Sequence, residues 1–137
     1  MAEFALGKFK METSENFDEY MKALGVGMVM RKLGNAATPT MEITVSGDEY
    51  ELKTITTFKT TSIKFKLGEA FEENTADGRT VKSTITVDGN TLVHEQKGNK
   101  EKKEKDSVLR RTFDGDTCTL VCEADGVKAT RVYKKEA

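Results

Sequence analysis

The 137-residue chain contains no tryptophan, one proline, one histidine and two cysteines. Neither sign of charge dominates: 22 Lys and Arg stand against 23 Asp and Glu. Without a basic excess there is no global attraction to nucleic acid, and none is expected as a partner. No apolar run reaches signal-peptide or membrane-span length, so a cytoplasmic protein is the expectation. The two cysteines, Cys118 and Cys122, fall four apart in a predicted strand, ~13 Å along it. A disulfide needs Cα atoms within ~7 Å, which excludes an intrachain bridge. With His94 as the lone histidine they also fall short of a zinc site, and no metal or cofactor is expected. Hydrophobic residues make up 36 % of the chain, below the usual share for a globular domain. The scarcity of proline and the absence of low-complexity tracts nevertheless argue against disorder. The length fits one domain, residues 1–137, folded around an interior that is unusually polar or incompletely filled.

Helical periodicity occurs in one place. In "SENFDEYMKALGVG", Ser14 is the expected N-cap, Asp18 and Glu19 suit the first turn, and Phe17, Tyr20, Met21 and Leu24 share an apolar face. Gly25 and Gly27 break this helix. "GMVMRKLGNAA" predicts a second, with Met28, Val29 and Leu33 on one face and Arg31 and Lys32 exposed, closed by Pro39. The predicted helix-turn-helix covers about residues 15–36.

Everything else alternates with period two between turn signals. Met41, Ile43 and Val45 precede "SGDE"; Tyr50, Leu52, Thr54 and Thr56 follow. Ile63, Phe65 and Leu67 alternate with lysines. Val81, Ser83, Ile85 and Val87 lead into the hairpin turn "DGNT", after which Leu92, His94 and Gln96 share a face. Leu109, Arg111 and Phe113, then Cys118, Leu120 and Cys122, then Val127, Ala129, Arg131 and Tyr133 complete the set. About ten strands without crossover helices predict an all-β protein, an antiparallel up-and-down barrel or clam with a helical lid.

The inward faces are not those of a dry core. Arg111 stands between Leu109 and Phe113, and Arg131 between Ala129 and Tyr133. At "LRRTF" either Arg110 or Arg111 could face inward; parity with Leu109 and Phe113 selects Arg111. Two buried guanidiniums repel each other unless an anion offsets them. A carboxylate is planar, accepts bidentate arginine bonds and can take a third bond from a tyrosine hydroxyl. The remaining expected lining, Phe17, Met21, Leu24, Met41, Ile43, Thr54, Phe65, Leu92, His94, Gln96 and Leu120, is mostly apolar. The implied ligand is an amphiphile with an anionic head and a long apolar tail. The competing reading makes the inward arginines a structural network satisfied by Glu, Asp and water. His94 has no nucleophile motif beside it, so an enzyme is not expected. "GEAFEEN", Gly68 to Asn74, lacks calcium-loop spacing and reads as exposed turn and edge charge.

"GKFKMETSENFDEYMKALGVG" (Gly7 to Gly27), "TFKTT" (Thr57 to Thr61), "FKLGEAFEENTADGRTVKS" (Phe65 to Ser83), "LVHEQK" (Leu92 to Lys97) and "TRVYKKEA" at the C-terminus closely resemble the fatty-acid-binding proteins of the intracellular lipid-binding protein family. The heart/muscle type is nearest, and the resemblance spans essentially the whole chain. It implies a ten-stranded clam with a helix-turn-helix lid and a water-containing cavity that holds one long-chain fatty acid non-covalently. It also implies an Arg…Arg-x-Tyr carboxylate set, matched here by Arg111, Arg131 and Tyr133. The family's portal maps to Thr57, Phe58 and Lys59 in one turn and Ala76 and Asp77 in another, facing Val29 and Leu33.

Two departures stand out. Phe9 replaces the family's first-strand tryptophan. "GNKEKKEKDS", Gly98 to Ser107, is about four residues longer than the heart-type loop, and its mixed charge reads as a solvated hairpin extension. Lys22, Arg31 and Lys32 are candidates for transient contact with an anionic membrane through the lid; their plainer reading is as solvated helix faces. A monomeric carrier is expected, and a retinoid or other hydrophobic-anion binder serving a regulatory partner is the alternative.

Overall fold

The computed structural model describes residues 2–57 and 59–136. Its strands are β1 (Gly7–Glu15), β2 (Thr40–Ser46), β3 (Glu49–Ile55), β4 (Thr60–Lys66), β5 (Phe71–Asn74), β6 (Thr80–Asp88), β7 (Thr91–Lys97), β8 (Ser107–Asp114), β9 (Thr117–Ala124) and β10 (Val127–Lys135). Two helices, α1 (Phe17–Leu24) and α2 (Met28–Ala36), are inserted between β1 and β2. The strands form one antiparallel sheet in the order β4-β3-β2-β1-β10-β9-β8-β7-β6-β5. Pairing of β1 with β10 joins the chain ends and curls the meander into a nearly closed barrel, as the alternation predicts. The two edges, β4 and β5, are consecutive in sequence yet are not paired with each other. Aromatic rings bridge that gap: Tyr50, Phe65 and Phe71 stack with centroid separations of 5.6 and 6.0 Å.

One end of the barrel is filled with packed apolar side chains. Phe4, in a 3₁₀ turn ahead of β1, packs on Phe113 at 5.7 Å, and Phe113 meets Phe9 edge-on at 5.4 Å. The Ala2 amide donates to the Tyr50 hydroxyl at 2.9 Å and ties the N-terminus over this plug. Phe9 therefore occupies a closed core position, 0 % exposed. Met41, Ile43 and Leu92 are buried in this core as well.

The lid starts later than expected. β1 continues through Ser14 to Glu15, and α1 follows Asn16, whose φ of 65° is left-handed. No side chain caps the helix, so Ser14 is not its N-cap. A register shift between Met11 and Thr13 sets Ser14 opposite Arg131, because a bulge consumes one residue and reverses the alternation beyond it. Gly25 ends α1 at φ 89°, a conformation that costs glycine little. Nor is Arg31 a free surface charge: it donates to Asp18 at 3.1 Å and to the Val26 carbonyl at 2.8 Å, pinning α2 to α1. The helices touch closely at Gly34, where a Cβ would come within 2.9 Å of Met21 Sδ. The 98–107 segment folds around Asn99, which accepts from the Glu101 and Lys102 amides, and around Asp106, which accepts from Lys100 at 2.6 Å.

Candidate functional site

Above the plug lies a cavity of about 280 Å³, walled by the lid helices and the inner face of the sheet. A smaller one of about 70 Å³ adjoins it and shares Thr54, Glu73, Gln96 and Arg111 with it. Apolar side chains dominate the larger wall, Phe17, Met21, Leu24, Leu33, Leu109 and Leu120 among them.

Three adjacent strands bring the charges together. Arg111 on β8 stands opposite Leu120 on β9, and Leu120 stands opposite Arg131 on β10. Two strand spacings put the arginine Cα atoms about 10 Å apart on one face. Both side chains border the larger cavity, at 7 % and 6 % exposure, while Arg110 is exposed. Among the described residues, neither arginine is in a salt bridge. The carboxylates that border the cavity are engaged elsewhere, half-buried Asp77 with Arg79 at 2.7 Å and buried Glu73 with His94 at 2.8 Å. Arg111 makes no side-chain hydrogen bond within this set, and its Nε is buried without a partner.

Arg131 is held by β1 and the lid helices instead. Its Nε donates to Ser14 Oγ at 3.0 Å, and its Nη2 reaches the Gly34 carbonyl at 3.4 Å. The guanidinium carbon sits 3.4 Å from the centroid of the Phe17 ring, a cation–π contact that gains strength where water is excluded. Tyr133 lies two residues along the same strand and also borders the cavity. Burial raises its phenol, opposed by Arg131, so at neutral pH its hydroxyl keeps a proton to donate. Burial likewise lowers the Arg131 pKa, yet a guanidinium stays charged at physiological pH.

A second polar group lies across the cavity. Glu73, on β5, accepts at Oε1 from Ser83 Oγ (2.8 Å), His94 Nε2 (2.8 Å) and Gln96 Nε2 (3.2 Å). Burial raises the carboxyl pKa, but the His94 hydrogen bond, the attraction of the His94 charge in its protonated form, and the Ser83 and Gln96 bonds together outweigh it and bring it to about 2. Burial pushes the His94 imidazole below its usual value, against the pull of Glu73. A carboxylate facing a neutral imidazole is thus the state at pH 7. Glu73 corrects the reading of "GEAFEEN" as exposed edge charge: β5 is an edge strand, but Glu73 points inward with Phe71. Their shared parity is the signal that could have found it. Tyr20, Leu109, Thr75 and Arg79 also border the cavity outside the expected set.

Of the expected tail-lining residues, Phe17, Met21, Leu24, Thr54, Gln96 and Leu120 border the larger cavity and His94 the smaller. Met41, Ile43, Leu92 and Phe65 border neither. They do face inward, but Met41, Ile43 and Leu92 belong to the packed core, and Phe65 is fixed in the aromatic stack. At the expected portal, Leu33, Lys59, Ala76 and Asp77 border the cavity, and Lys59 Nζ donates to the Ala76 carbonyl at 3.2 Å, joining the two turns. Thr57 and Val29 do not border it: Thr57 is exposed, and Val29 points to solvent at 74 % exposure. Phe58 lies outside the described residues.

The muscle fatty acid-binding protein of Schistocerca gregaria is 46 % identical to this chain over 136 residues, covering 98 % of each. Sodium/calcium exchanger regulatory protein 1 of Doryteuthis pealeii is 49 % identical over 135 residues, again covering 98 % of each. A solved Schistosoma mansoni fatty acid binding protein in complex with arachidonic acid superposes with a TM-score of 0.93 at 39 % identity, covering 99 % of this chain and 98 % of that one. Proteins of this kind are carriers rather than enzymes. No helix among the described residues is long and apolar enough to cross a membrane. Residues 6–136 match the lipocalin / cytosolic fatty-acid binding protein family, and the chain belongs to it.

Proposed function

We propose that this protein is a carrier that holds one long-chain fatty acid non-covalently, with the carboxylate between Arg111, Arg131 and Tyr133 and the tail along the apolar wall. One observation carries the reading: two buried guanidiniums, in register on either side of Leu120, border an apolar-walled cavity with no carboxylate paired to either among the described residues. An uncompensated buried charge costs several kcal/mol, and an entering carboxylate offsets it for both arginines. Charge-assisted bonds of this kind contribute about 1.5–3 kcal/mol each. The tail loses apolar contact with water along Phe17, Met21, Leu24 and Leu120. The carrier acts as a monomer in the cytoplasm and meets membranes transiently through α2, where Met28 and Val29 are 63 % and 74 % exposed. The names of the muscle and Schistosoma proteins favour a fatty acid. That of the Doryteuthis pealeii protein keeps in view a hydrophobic-anion binder serving a regulatory partner.

Native mass spectrometry of the purified protein, with extraction of copurified lipid, tests the ligand class. A single long-chain fatty acid per chain supports the proposal. A retinoid, or a neutral lipid without an acid group, overturns it.

A further inference from the structure

The carboxylate clamp leaves one polar feature of the interior unexplained. Glu73 is 8 % exposed, and among the described residues all three of its hydrogen bonds fall on Oε1, while Oε2 accepts none. Arg111 is 7 % exposed and donates to no described side chain or carbonyl. Both side chains border the same two adjoining cavities, yet they are not in a salt bridge. An acceptor and a donor of opposite charge therefore face a shared space without meeting. The His94–Gln96–Ser83 shell fixes the Glu73 carboxylate in place, so it cannot swing across to close the gap without giving up three bonds. Such a gap suits a small group that donates on one side and accepts on the other.

We propose that the space between Glu73 and Arg111 is a second polar subsite that takes a hydroxyl carried on the ligand's chain, making hydroxylated fatty acids a preferred ligand class. The hydroxyl donates to Glu73 Oε2 and accepts from Arg111. A second carboxylate is repelled by Glu73 at this point. An unsubstituted chain leaves Glu73 Oε2, and the Arg111 N–H groups that the carboxylate does not take, to water alone, which a ligand hydroxyl replaces at little enthalpic cost. A site that must hydrogen-bond a hydroxyl discriminates against the analogue lacking it, since its polar groups are otherwise left unpaired. The inference rests on the fatty-acid reading and adds to it which fatty acids bind best.

The test compares stearate with its 3-, 10- and 12-hydroxy derivatives and their methyl ethers, by displacement of a fluorescent fatty acid from the full chain. The expected result is that one positional isomer binds about fivefold or more tighter than stearate. Its methyl ether, which accepts but cannot donate, loses that gain. In Glu73→Gln the hydroxy-to-parent affinity ratio falls to about one. The ether comparison is made in the unaltered protein and stands even if the variant does not fold. Stearate binding with no isomer preferred, or with the ether as good as the hydroxyl, means the subsite holds water only and overturns this inference alone. Failure of stearate and every derivative to bind overturns the fatty-acid reading and this inference with it.

Discussion

The guanidinium of Arg131 lies 3.4 Å from the centre of the Phe17 ring while its Nη2 contacts the Gly34 carbonyl. The proposed head-group residue thus touches both lid helices as well as Ser14 on β1. A carboxylate that takes this guanidinium competes with those contacts, which couples the head group to the lid. Hydrogen exchange of the α2 amides measures the coupling. Oleate should speed α2 exchange relative to oleyl alcohol, which fills the tail space without claiming the arginine. In Arg131→Gln the unliganded α2 should exchange faster than in the wild type, and the two ligands should give the same rate.

Acid should destabilise the fold in two steps. His94 has a lowered pKa in the folded state, so below about 6.5 the unfolded chain takes up a proton that the folded chain refuses, and stability falls with pH. Glu73 has a folded pKa of about 2 against an ordinary 4.5, so its contribution is whole above 4.5 and is lost as pH falls toward 2. Urea midpoints between pH 8 and 3 should trace both losses, and His94→Gln should remove the upper one. A flat profile from pH 7 to 5 in the wild type contradicts the buried-imidazole assignment.

Two glycines with close neighbours should respond differently to alanine. At Gly98 a Cβ meets the backbone oxygens of Glu104 and Lys105 at 2.5 and 2.6 Å, atoms that cannot yield without rebuilding the 98–107 loop. Gly98→Ala should cost about 1–3 kcal/mol. At Gly34 the nearest atom is the flexible end of Met21, at 2.9 Å, and a helical Gly→Ala change returns about 0.5–1 kcal/mol of backbone entropy. Gly34→Ala should be near neutral in thermal unfolding.

If α2 delivers ligand by contact, transfer to acceptor vesicles should speed up with vesicle concentration and anionic lipid content. The double change Met28→Ser, Val29→Ser should slow it several-fold, because these two side chains are the most exposed large apolar ones among the described residues. A wild-type rate independent of vesicle concentration means release into water and excludes delivery by contact.

Period-two alternation reaches far along this chain because every strand has one face in water. It separates Arg111 from Arg110 and sets Arg131 on the inner face with Tyr133. What alternation cannot convey is depth along the barrel axis. Met41 and Ile43 face inward as truly as Thr54 does, but they lie against the Phe9 plug rather than the cavity. Nor can it anticipate a bulge: Ser14 reads as a helix cap until the shift at Met11 and Thr13 turns it toward Arg131. Glu73 was hidden by its acidic neighbours Glu69 and Glu72, which are exposed. Its burial depends on Ser83, His94 and Gln96, donors from two other strands that no local window contains.

The central claim is that Arg111 and Arg131 together hold an anionic head group. Titration calorimetry of oleate and oleyl alcohol into the wild type, Arg111→Ala, Arg131→Ala and the double variant tests it most directly, with circular dichroism confirming the fold. Each single change should weaken oleate about 10- to 100-fold, and the double variant should bind oleate no better than oleyl alcohol. Unchanged oleate affinity in both single variants, with the barrel intact, would contradict the account.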